Sequence, residues 1–310
     1  MVDIKSIKTG VIGVGSMGRH HARVYSEISN LVAISDPNKE QGLQISKKYN
    51  VPWYENYEEM LDKVDAVSIS VPTFLHKEIA CKVADAKVNI LVEKPLAISK
   101  EDSQEIIGVA KNNNVVLAVG HIERHNPVFT TLKSILENGE SRDILTLTAR
   151  RYSTYPARIS DVGVLFDLTI HDVEIINEIA NSKAISVYVL GGNSKNKKYE
   201  DYINLMINYQ NGIIGICQTS WMSPIKIREF TISTSKELIY LDLLGKTVEV
   251  SKSHLSDNKS SETESLFVSD VEPLKSELID FLESVKTKRV PLVSGEDGLN
   301  AVTIVQAGFE

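Results

Sequence analysis

The chain has little cysteine and no long apolar run. Only two of its 310 residues are cysteines. Cys81 and Cys217 stand far apart inside apolar patterns, which favours small buried side chains over a disulfide. No stretch, the N-terminal MVDIKSIKTGVIGVG included, is long and apolar enough to predict a secretory signal or a spanning helix. We therefore expect a cytoplasmic protein with no membrane partner.

The chain also lacks an excess of positive charge. Its formal net charge of −7 argues against a nucleic-acid partner, because proteins that bind phosphate backbones usually present a basic surface. Hydrophobic residues make up 42% of the chain and charged residues 24%, the balance of a globular protein. At 310 residues, the chain is long enough for two domains that each bury a core.

Over the first 120 residues, short apolar runs alternate with stretches of helical spacing. The runs are KTGVIGVG (8–15), LVAIS (31–35), DAVSISV (65–71), NILVE (89–93) and VVLAVG (115–120). This alternation predicts a doubly wound parallel sheet of the Rossmann type, with helices on both faces. We assign it to a first domain over residues 1–121.

The turn after the first predicted strand reads Gly13-Val-Gly15-Ser-Met-Gly18. Glycines at this spacing let the main chain turn sharply and approach a pyrophosphate at the N-terminus of the next helix. Asp36 follows the second strand, where an acidic side chain binds ribose hydroxyls and repels a 2′-phosphate. The two features predict a dinucleotide-binding domain that prefers NAD to NADP. A glycine turn without a ligand is the alternative.

Unusual residues follow two further strands. Pro72 and Thr73 come after the third long run, and Lys94 ends the next one in Glu93-Lys94-Pro95. Ligands of open α/β sheets bind beyond the carboxyl ends of the strands, so these side chains should reach that crevice. Desolvation there would lower the pKa of Lys94 towards that of a general base. A lysine that extends from the strand end to solvent is the alternative.

Beyond residue 121 the alternation stops. Closely spaced runs from ILTLTARRY to KTVEVS predict a mostly antiparallel open sheet, in an α+β domain over residues 122–310 for substrate binding and oligomerisation. Some runs, such as YINLMINY, carry sizeable side chains on both faces. One face should therefore remain for a partner, and we predict a homodimer or homotetramer. The polar stretch 251–265 is expected to be a solvated loop.

A helix is predicted from about Leu165. Asp167 and His171 are four residues apart and so lie on one of its faces. A solvated stripe that continues through Glu174 and Glu178 fits the same spacing. We predict no metal, because nothing nearby in sequence completes a ligand set with Asp167, His171 and Asp172.

In this order, GVGSMG, Asp36, SVPTFLH, VEKPLA, VGHIERHNPVF and DVGVLFDLTIHDVE resemble the Gfo/Idh/MocA oxidoreductases over nearly the whole chain. The resemblance implies hydride transfer from a substrate CH–OH group to NAD. It also implies that Lys94, Asp167 and His171 are catalytic, with Lys94 facing the hydroxyl, His171 exchanging its proton and Asp167 orienting His171. The implied NAD contacts are Gly13, Gly15, Ser16, Met17, Gly18, Asp36, Ser70, Pro72, Thr73, His76, Glu93 and Lys94.

The segment ARRYSTYPARISDVGVLFDLTIHDVE, together with VGHIERHNP, is similar to UDP-N-acetylglucosamine 3-dehydrogenases and related UDP-sugar dehydrogenases. Its three arginines suit a diphosphate because guanidinium groups offer planar, bidentate donors; solvated arginines at a strand edge are the alternative. The rival functions are a free-sugar or inositol dehydrogenase and a non-catalytic NAD-binding sensor. The expected substrate contacts are Lys94, Arg124, Asn126, Arg151, Tyr152, Arg158, Asp167 and His171.

Overall fold

The computed structural model describes residues 2–138, 143–156, 162–195, 198–253 and 261–308. The chain divides into two compact units, residues 1–122 with 272–302 and residues 123–271 with 303–310. Residues 272–302, which the sequence analysis assigned to the second domain, thus pack with the first unit. The two units are described separately below.

The first unit is a parallel sheet of six strands among the described residues, in the order β3-β2-β1-β4-β5-β6. The predicted doubly wound sheet is confirmed. Its strands are β1 (Lys8–Ile12), β2 (Asn30–Ser35), β3 (Trp53–Tyr54), β4 (Ala66–Ile69), β5 (Asn89–Glu93) and β6 (Leu117–Gly120). Its helices are α1 (Gly18–Ile28), α2 (Lys39–Tyr49), α3 (His76–Asp85) and α4 (Lys100–Asn112).

Both faces of this sheet are covered, as the unbroken apolar runs predict. Successive residues of β5 alternate between two cores: Ile90 and Val92 pack with residues of α3 and α4, whereas Leu91 packs with residues of α1 and α2. Strands β2 and β3 extend the sheet on one side of β1, and the chain then crosses to add β4, β5 and β6 on the other side, so the strand order reverses between β1 and β4. Ligands of such sheets bind at this point, beyond the strand ends.

A late helix completes the second of these cores. Helix α7 (Pro273–Thr287) places Leu274, Leu278 and Phe281 in the same cluster as Tyr25 of α1. These apolar residues recur at helical spacing, and Pro273 stands in the first turn, where its missing N–H is harmless. The periodicity therefore predicts a helix, but nothing in it indicates which domain the helix joins.

The second unit contains an eight-stranded sheet among the described residues, in the order β14-β13-β12-β11-β7-β10-β9-β8. All neighbours are antiparallel except β10 and β7. The predicted α+β domain is confirmed. Its strands are β7 (Ile144–Tyr152), β8 (Ala184–Gly192), β9 (Tyr202–Tyr209), β10 (Ile214–Ser220), β11 (Ile227–Thr234), β12 (Glu237–Asp242), β13 (Thr247–Ser253) and β14 (Ser261–Leu266).

One expectation about this sheet is wrong. The stretch 251–265, expected as a loop, contains the end of β13 and most of β14, which pair with each other. Main-chain hydrogen bonds between β13 and β14 hold these polar residues in strands at the edge of the sheet, where side chains do not have to be buried. Residues 254–260 lie outside the described ranges.

Helices cover one face of this sheet. They are α5 (Pro127–Asn138) and α6 (Ile170–Ala180), while α8 (Gly295–Ala307) ends the described chain. Helix α6 follows a π-helical turn, Leu165–Thr169, so a helix does begin where the sequence predicts it. Such turns are rare and often occur at functional sites. None of the helices described is long and apolar enough to cross a bilayer, and the cytoplasmic location stays a prediction.

Candidate active site

The glycine turn after β1 depends on the absence of side chains at two positions. Gly13 has a φ of +82°, and a Cβ there would lie 2.7 Å from the carbonyl oxygen of Ser70. A Cβ on Gly18 would lie 1.8 Å from the carbonyl oxygen of Gly13. At Gly15, by contrast, the nearest atom to an added Cβ is Gln41 Nε2 at 3.7 Å. The main chain at Gly15 is therefore open to a ligand.

The start of α1 has the features of an anion site. No side chain caps it, and no acidic residue stands in its first turn. Ser16 is exposed and Met17 half-buried just before it. The hydroxyl of Ser70, after β4, is buried without a hydrogen-bond partner in the described part of the chain. Uncapped N–H groups, an open glycine and an orphaned hydroxyl together fit the pyrophosphate of a dinucleotide.

Asp36 lies beside this turn, at the end of β2. Its Oδ2 accepts hydrogen bonds from the N–H of Val14 at 2.9 Å and from Gln41 Nε2 at 3.0 Å, and its Oδ1 accepts one from the N–H of Asn38 at 2.8 Å. A carboxylate has about four acceptor positions, so Oδ1 retains one for a ribose hydroxyl. The sequence analysis missed Gln41, which reaches both Asp36 and the open side of Gly15.

Lys94 is half-buried directly after β5, and its main-chain N–H donates to Glu93 Oε2 at 3.2 Å. The peptide bond to Pro95 is cis. Pro72 and Thr73 lie at the turn after β4, exposed and half-buried respectively. Their contacts with NAD stay predictions.

Two other predicted NAD contacts, Glu93 and His76, are buried and hydrogen-bonded within the first unit, and their contacts with NAD stay predictions. Glu93 is only 7% exposed, and its Oε1 accepts a hydrogen bond from His21 Nε2 at 2.9 Å. Burial acts to raise the pKa of Glu93, but the hydrogen bond and charge of His21 outweigh it, so the pKa is lowered and the group stays ionised. His76 is buried, with Nδ1 2.9 Å from the carbonyl oxygen of Pro95 and Nε2 3.0 Å from that of Val71. Both side chains are engaged with the protein itself.

In the second unit, Asp167 lies in the π-helical turn and His171 in the first turn of α6, both half-buried. The N–H of Asp167 donates to the carbonyl oxygen of Gly163 at 3.1 Å. Glu200 holds the start of this helix, because its Oε1 accepts from the N–H of Leu165 at 3.0 Å. Gly163 packs against that carboxylate, and a Cβ there would lie 2.1 Å from Glu200 Oε1.

A buried ion-pair network includes three predicted substrate contacts. Arg151 is 3% exposed; its Nε lies 3.0 Å from both carboxylate oxygens of Asp172, and its Nη1 donates to Glu123 Oε1 at 2.9 Å. Asn126 donates to Glu123 Oε2 at 3.2 Å. Arg124 pairs with Glu174 at 2.7 Å. Both guanidinium groups are thus paired with carboxylates, and the contacts of all three residues with substrate stay predictions.

The segment 150–158 contains three other residues that the sequence analysis considered: Tyr152, Arg150 and Arg158. Tyr152 is half-buried at the end of β7 and stays a prediction. Arg150 is exposed on the outer face and pairs with Glu229. Arg158 lies outside the described residues.

Arg228 is a cation that the sequence analysis missed. It stands opposite Arg151 in the β7–β11 register, and its Nη1 is 3.4 Å from Glu123 Oε1, an oxygen that already accepts from Arg151. Its side chain is 34% exposed. Burial, then the charge of Arg151, lowers the pKa of Arg228, while Asp167 acts in the opposite direction. The alternation Arg228, Phe230, Ile232 could have revealed it as a charge on the helix-covered face.

Comparison with known proteins decides the family. Residues 7–121 match an oxidoreductase family with an NAD-binding Rossmann fold, and residues 129–240 match the GFO/IDH/MocA C-terminal domain. The chain belongs to the GFO/IDH/MocA oxidoreductase family. It is an NAD-dependent dehydrogenase that acts on CH–OH groups, as the resemblance of its motifs implied.

Two relatives illustrate the range of this family. UDP-N-acetylglucosamine 3-dehydrogenase of Acidithiobacillus ferrooxidans is 28% identical over 295 residues, 94% of this chain and 93% of that protein. Myo-inositol 2-dehydrogenase of Thermotoga maritima is 27% identical over 314 residues, 96% of this chain and 94% of that protein. A solved structure of the Acidithiobacillus enzyme matches with a TM-score of 0.91 at 26% identity, covering 99% of this chain and 96% of that one.

The position of Asp36 predicts the cofactor preference. Asp36→Ser should weaken NADH binding by about tenfold, because a hydrogen bond to a charged group contributes about 1.5–3 kcal/mol. It should also narrow the gap to NADPH, because the repulsion of the 2′-phosphate is removed. Fluorescence titration with both reduced cofactors measures the two affinities.

Asp65→Ser is the matched control, since Asp65 Oδ2 accepts the N–H of Lys8 at 2.8 Å, at the opposite end of β1. It should leave the preference unchanged. Tighter binding of NADPH than of NADH by the unaltered protein would contradict the role given to Asp36.

Proposed function

We propose that the chain oxidises a sugar hydroxyl, at C3 of UDP-N-acetylglucosamine, with NAD as the hydride acceptor. The observation that carries the proposal is the position of Lys94, half-buried where β5 ends, on the same sheet edge as the glycine turn and Ser70. The similarity along almost the full length to a UDP-N-acetylglucosamine 3-dehydrogenase supports the choice of sugar. Bound NAD supplies the carbon that accepts the hydride.

A side chain of the protein accepts the proton of the substrate hydroxyl. In the proposed reaction the C–H bond of the sugar breaks with its electron pair, the hydroxyl loses its proton to His171, and the carbon–oxygen double bond forms. Lys94 donates a hydrogen bond to that oxygen, and Asp167 keeps the imidazole oriented. Much of the rate enhancement then comes from positioning.

The sequence analysis assigned the diphosphate to the three arginines of the segment 150–158, and Arg228 is a further candidate for that role. Arg228 shares its nearest carboxylate oxygen, Glu123 Oε1 at 3.4 Å, with Arg151, which lies at 2.9 Å. A third of the Arg228 side chain is accessible. We propose that Arg228, together with Arg158, binds the diphosphate of the nucleotide sugar.

A free inositol or sugar is the second candidate substrate. The similarity to a myo-inositol 2-dehydrogenase, also along almost the full length, favours it. The engagement of Arg124 and Arg151 with carboxylates favours it too, because fewer cations then remain for a diphosphate. A neutral substrate would have no use for Arg228.

Comparison of substrates tests this proposal. We expect formation of NADH with UDP-N-acetylglucosamine and little with N-acetylglucosamine or myo-inositol at the same concentration. Arg228→Met should raise KM for the nucleotide sugar by about tenfold or more, since a charge-assisted hydrogen bond contributes about 1.5–3 kcal/mol. Because the diphosphate is bound equally in the ground and transition states, kcat should change little.

Arg150→Met serves as the matched control, because Arg150 lies on the outer face of the same sheet. It should leave KM unchanged. Equal rates with the free sugar, or activity only on inositol, would overturn the assignment in favour of the second candidate.

We also propose that the outer face of the second unit's sheet joins copies of the chain as a dimer or tetramer. Tyr188 and Met206 are opposite each other in the β8–β9 register, and they are 68% and 47% exposed. Leu190, on the same strand face, is 79% exposed. Apolar side chains in one patch of this kind favour burial against a partner.

Light scattering at micromolar concentration should give at least twice the mass of the 34.4 kDa chain. Tyr188→Lys with Met206→Lys should lower the mass towards that of one chain, because charges at these positions would oppose burial. A single-chain mass for the unaltered protein would rule out this interface.

A further inference from the structure

We propose that two buried histidines, His21 and His76, are positioning residues that fix Lys94 by holding the residues on either side of it. The inference rests on the proposed role of Lys94 in the reaction. Neither histidine is expected to touch substrate, because both are almost completely buried in the first unit.

His21 acts on the residue before Lys94. It stands on α1, and its Nε2 donates to Glu93 Oε1 at 2.9 Å. The other carboxylate oxygen accepts the main-chain N–H of Lys94 at 3.2 Å. Glu93 therefore connects the imidazole of His21 directly to the backbone of Lys94.

Two further polar side chains, Ser68 and Tyr25, continue the hydrogen-bonded chain on the other side of the His21 imidazole. His21 Nδ1 lies 2.9 Å from Ser68 Oγ, which lies 2.7 Å from the hydroxyl of Tyr25. Gly120 leaves room for the carboxylate of Glu93, since a Cβ there would lie 3.2 Å from Oε2. Each member of this chain has a partner, so the imidazole has little freedom to turn.

His76 acts on the residue after Lys94. Its ring lies between the carbonyl oxygens of Pro95 and Val71, at 2.9 and 3.0 Å. A neutral imidazole carries one N–H and donates to one of these oxygens at a time. Burial lowers the pKa of His76, in accord with the neutral form. His76 thus lies between the turn that follows Lys94 and the segment after β4, and its single N–H binds one of the two at a time.

The burial of these polar groups among apolar residues indicates a role beyond stabilising the fold. They lie among the apolar residues of two cores, where polar groups are costly unless paired and packed hydrophobic side chains often stabilise a fold equally well. What they add is a fixed backbone on both sides of Lys94. Fixed geometry is what proton transfer needs, because a displacement of about 1 Å at a reacting group can lower the rate about 100-fold.

The test uses the full-length protein with His21→Gln and His76→Gln. We expect kcat to fall by about 10- to 100-fold in each, while the Kd for NADH and the KM for sugar stay close to those of the unaltered protein. A general loss of structure would instead weaken cofactor binding together with kcat. His20→Gln is the matched control, since His20 is the exposed neighbour of His21 on α1.

A second readout does not depend on the substrate. The rate at which acetic anhydride acylates Lys94, measured by peptide mass spectrometry and divided by the rate at exposed Lys111, should change in both variants and not in His20→Gln. If His21→Gln fails to fold, Ser68→Ala, which removes only the hydroxyl behind the imidazole, should shift the same ratio in the same direction as His76→Gln.

The outcomes separate the two proposals. Unchanged acylation of Lys94 and unchanged kcat in the variants would overturn the positioning role. So would parallel loss of kcat and NADH affinity. If the unaltered protein oxidises none of the sugars, the proposed function fails, and the acylation ratio alone decides whether the histidines fix Lys94.

Discussion

The contact of His21 with Glu93, at 2.9 Å inside the first unit, joins two parts of the dinucleotide-binding domain that have different tasks. His21 belongs to α1, whose N-terminus faces the glycine turn, and Glu93 ends β5, next to Lys94. Through this contact, the helix that is expected to bind the pyrophosphate is connected to the strand that ends beside Lys94. In the proposed site, the placement of Lys94 relative to the cofactor depends on it.

Two buried carboxylates of the first unit, Glu93 and Glu277, have pKa values that are shifted in opposite directions. Glu93 stays ionised because of His21, whereas Glu277 on α7 is 2% exposed and its two carboxylate oxygens have no hydrogen-bond partner in the described residues. Burial, followed by the charges of Glu93 and Asp280, raises the pKa of Glu277 well above its usual range. Among the described residues, Glu277 thus lacks the compensating partner that His21 gives to Glu93.

Local patterns predicted much of the fold and part of the site. The runs from KTGVIGVG to VVLAVG predicted the strands of the parallel sheet. The spacing of Gly13, Gly18 and Asp36 predicted the turn after the first strand, and a Cβ at either glycine would clash with the main chain. Local patterns do not reveal partners that are distant in sequence. Arg151 was read as a ligand for a diphosphate, but Asp172 and Glu123 bind it from 21 and 28 residues away. Likewise, tertiary packing alone decides that α7 joins the first unit and that His76 faces main-chain carbonyls.

Catalysis by His171, which accepts the proton, and by Lys94, which binds the reacting oxygen at an NAD site, is the central claim, and one set of measurements tests it most directly. Lys94→Met and His171→Ala are compared with Lys111→Met, at an exposed position near the end of α4. The predicted result is unchanged NADH affinity in all three, with turnover lower by about 10²- to 10⁴-fold in the first two alone, because each lacks a group that moves or orients the proton. Undiminished turnover in either variant, or loss of NADH binding in both, would contradict the account.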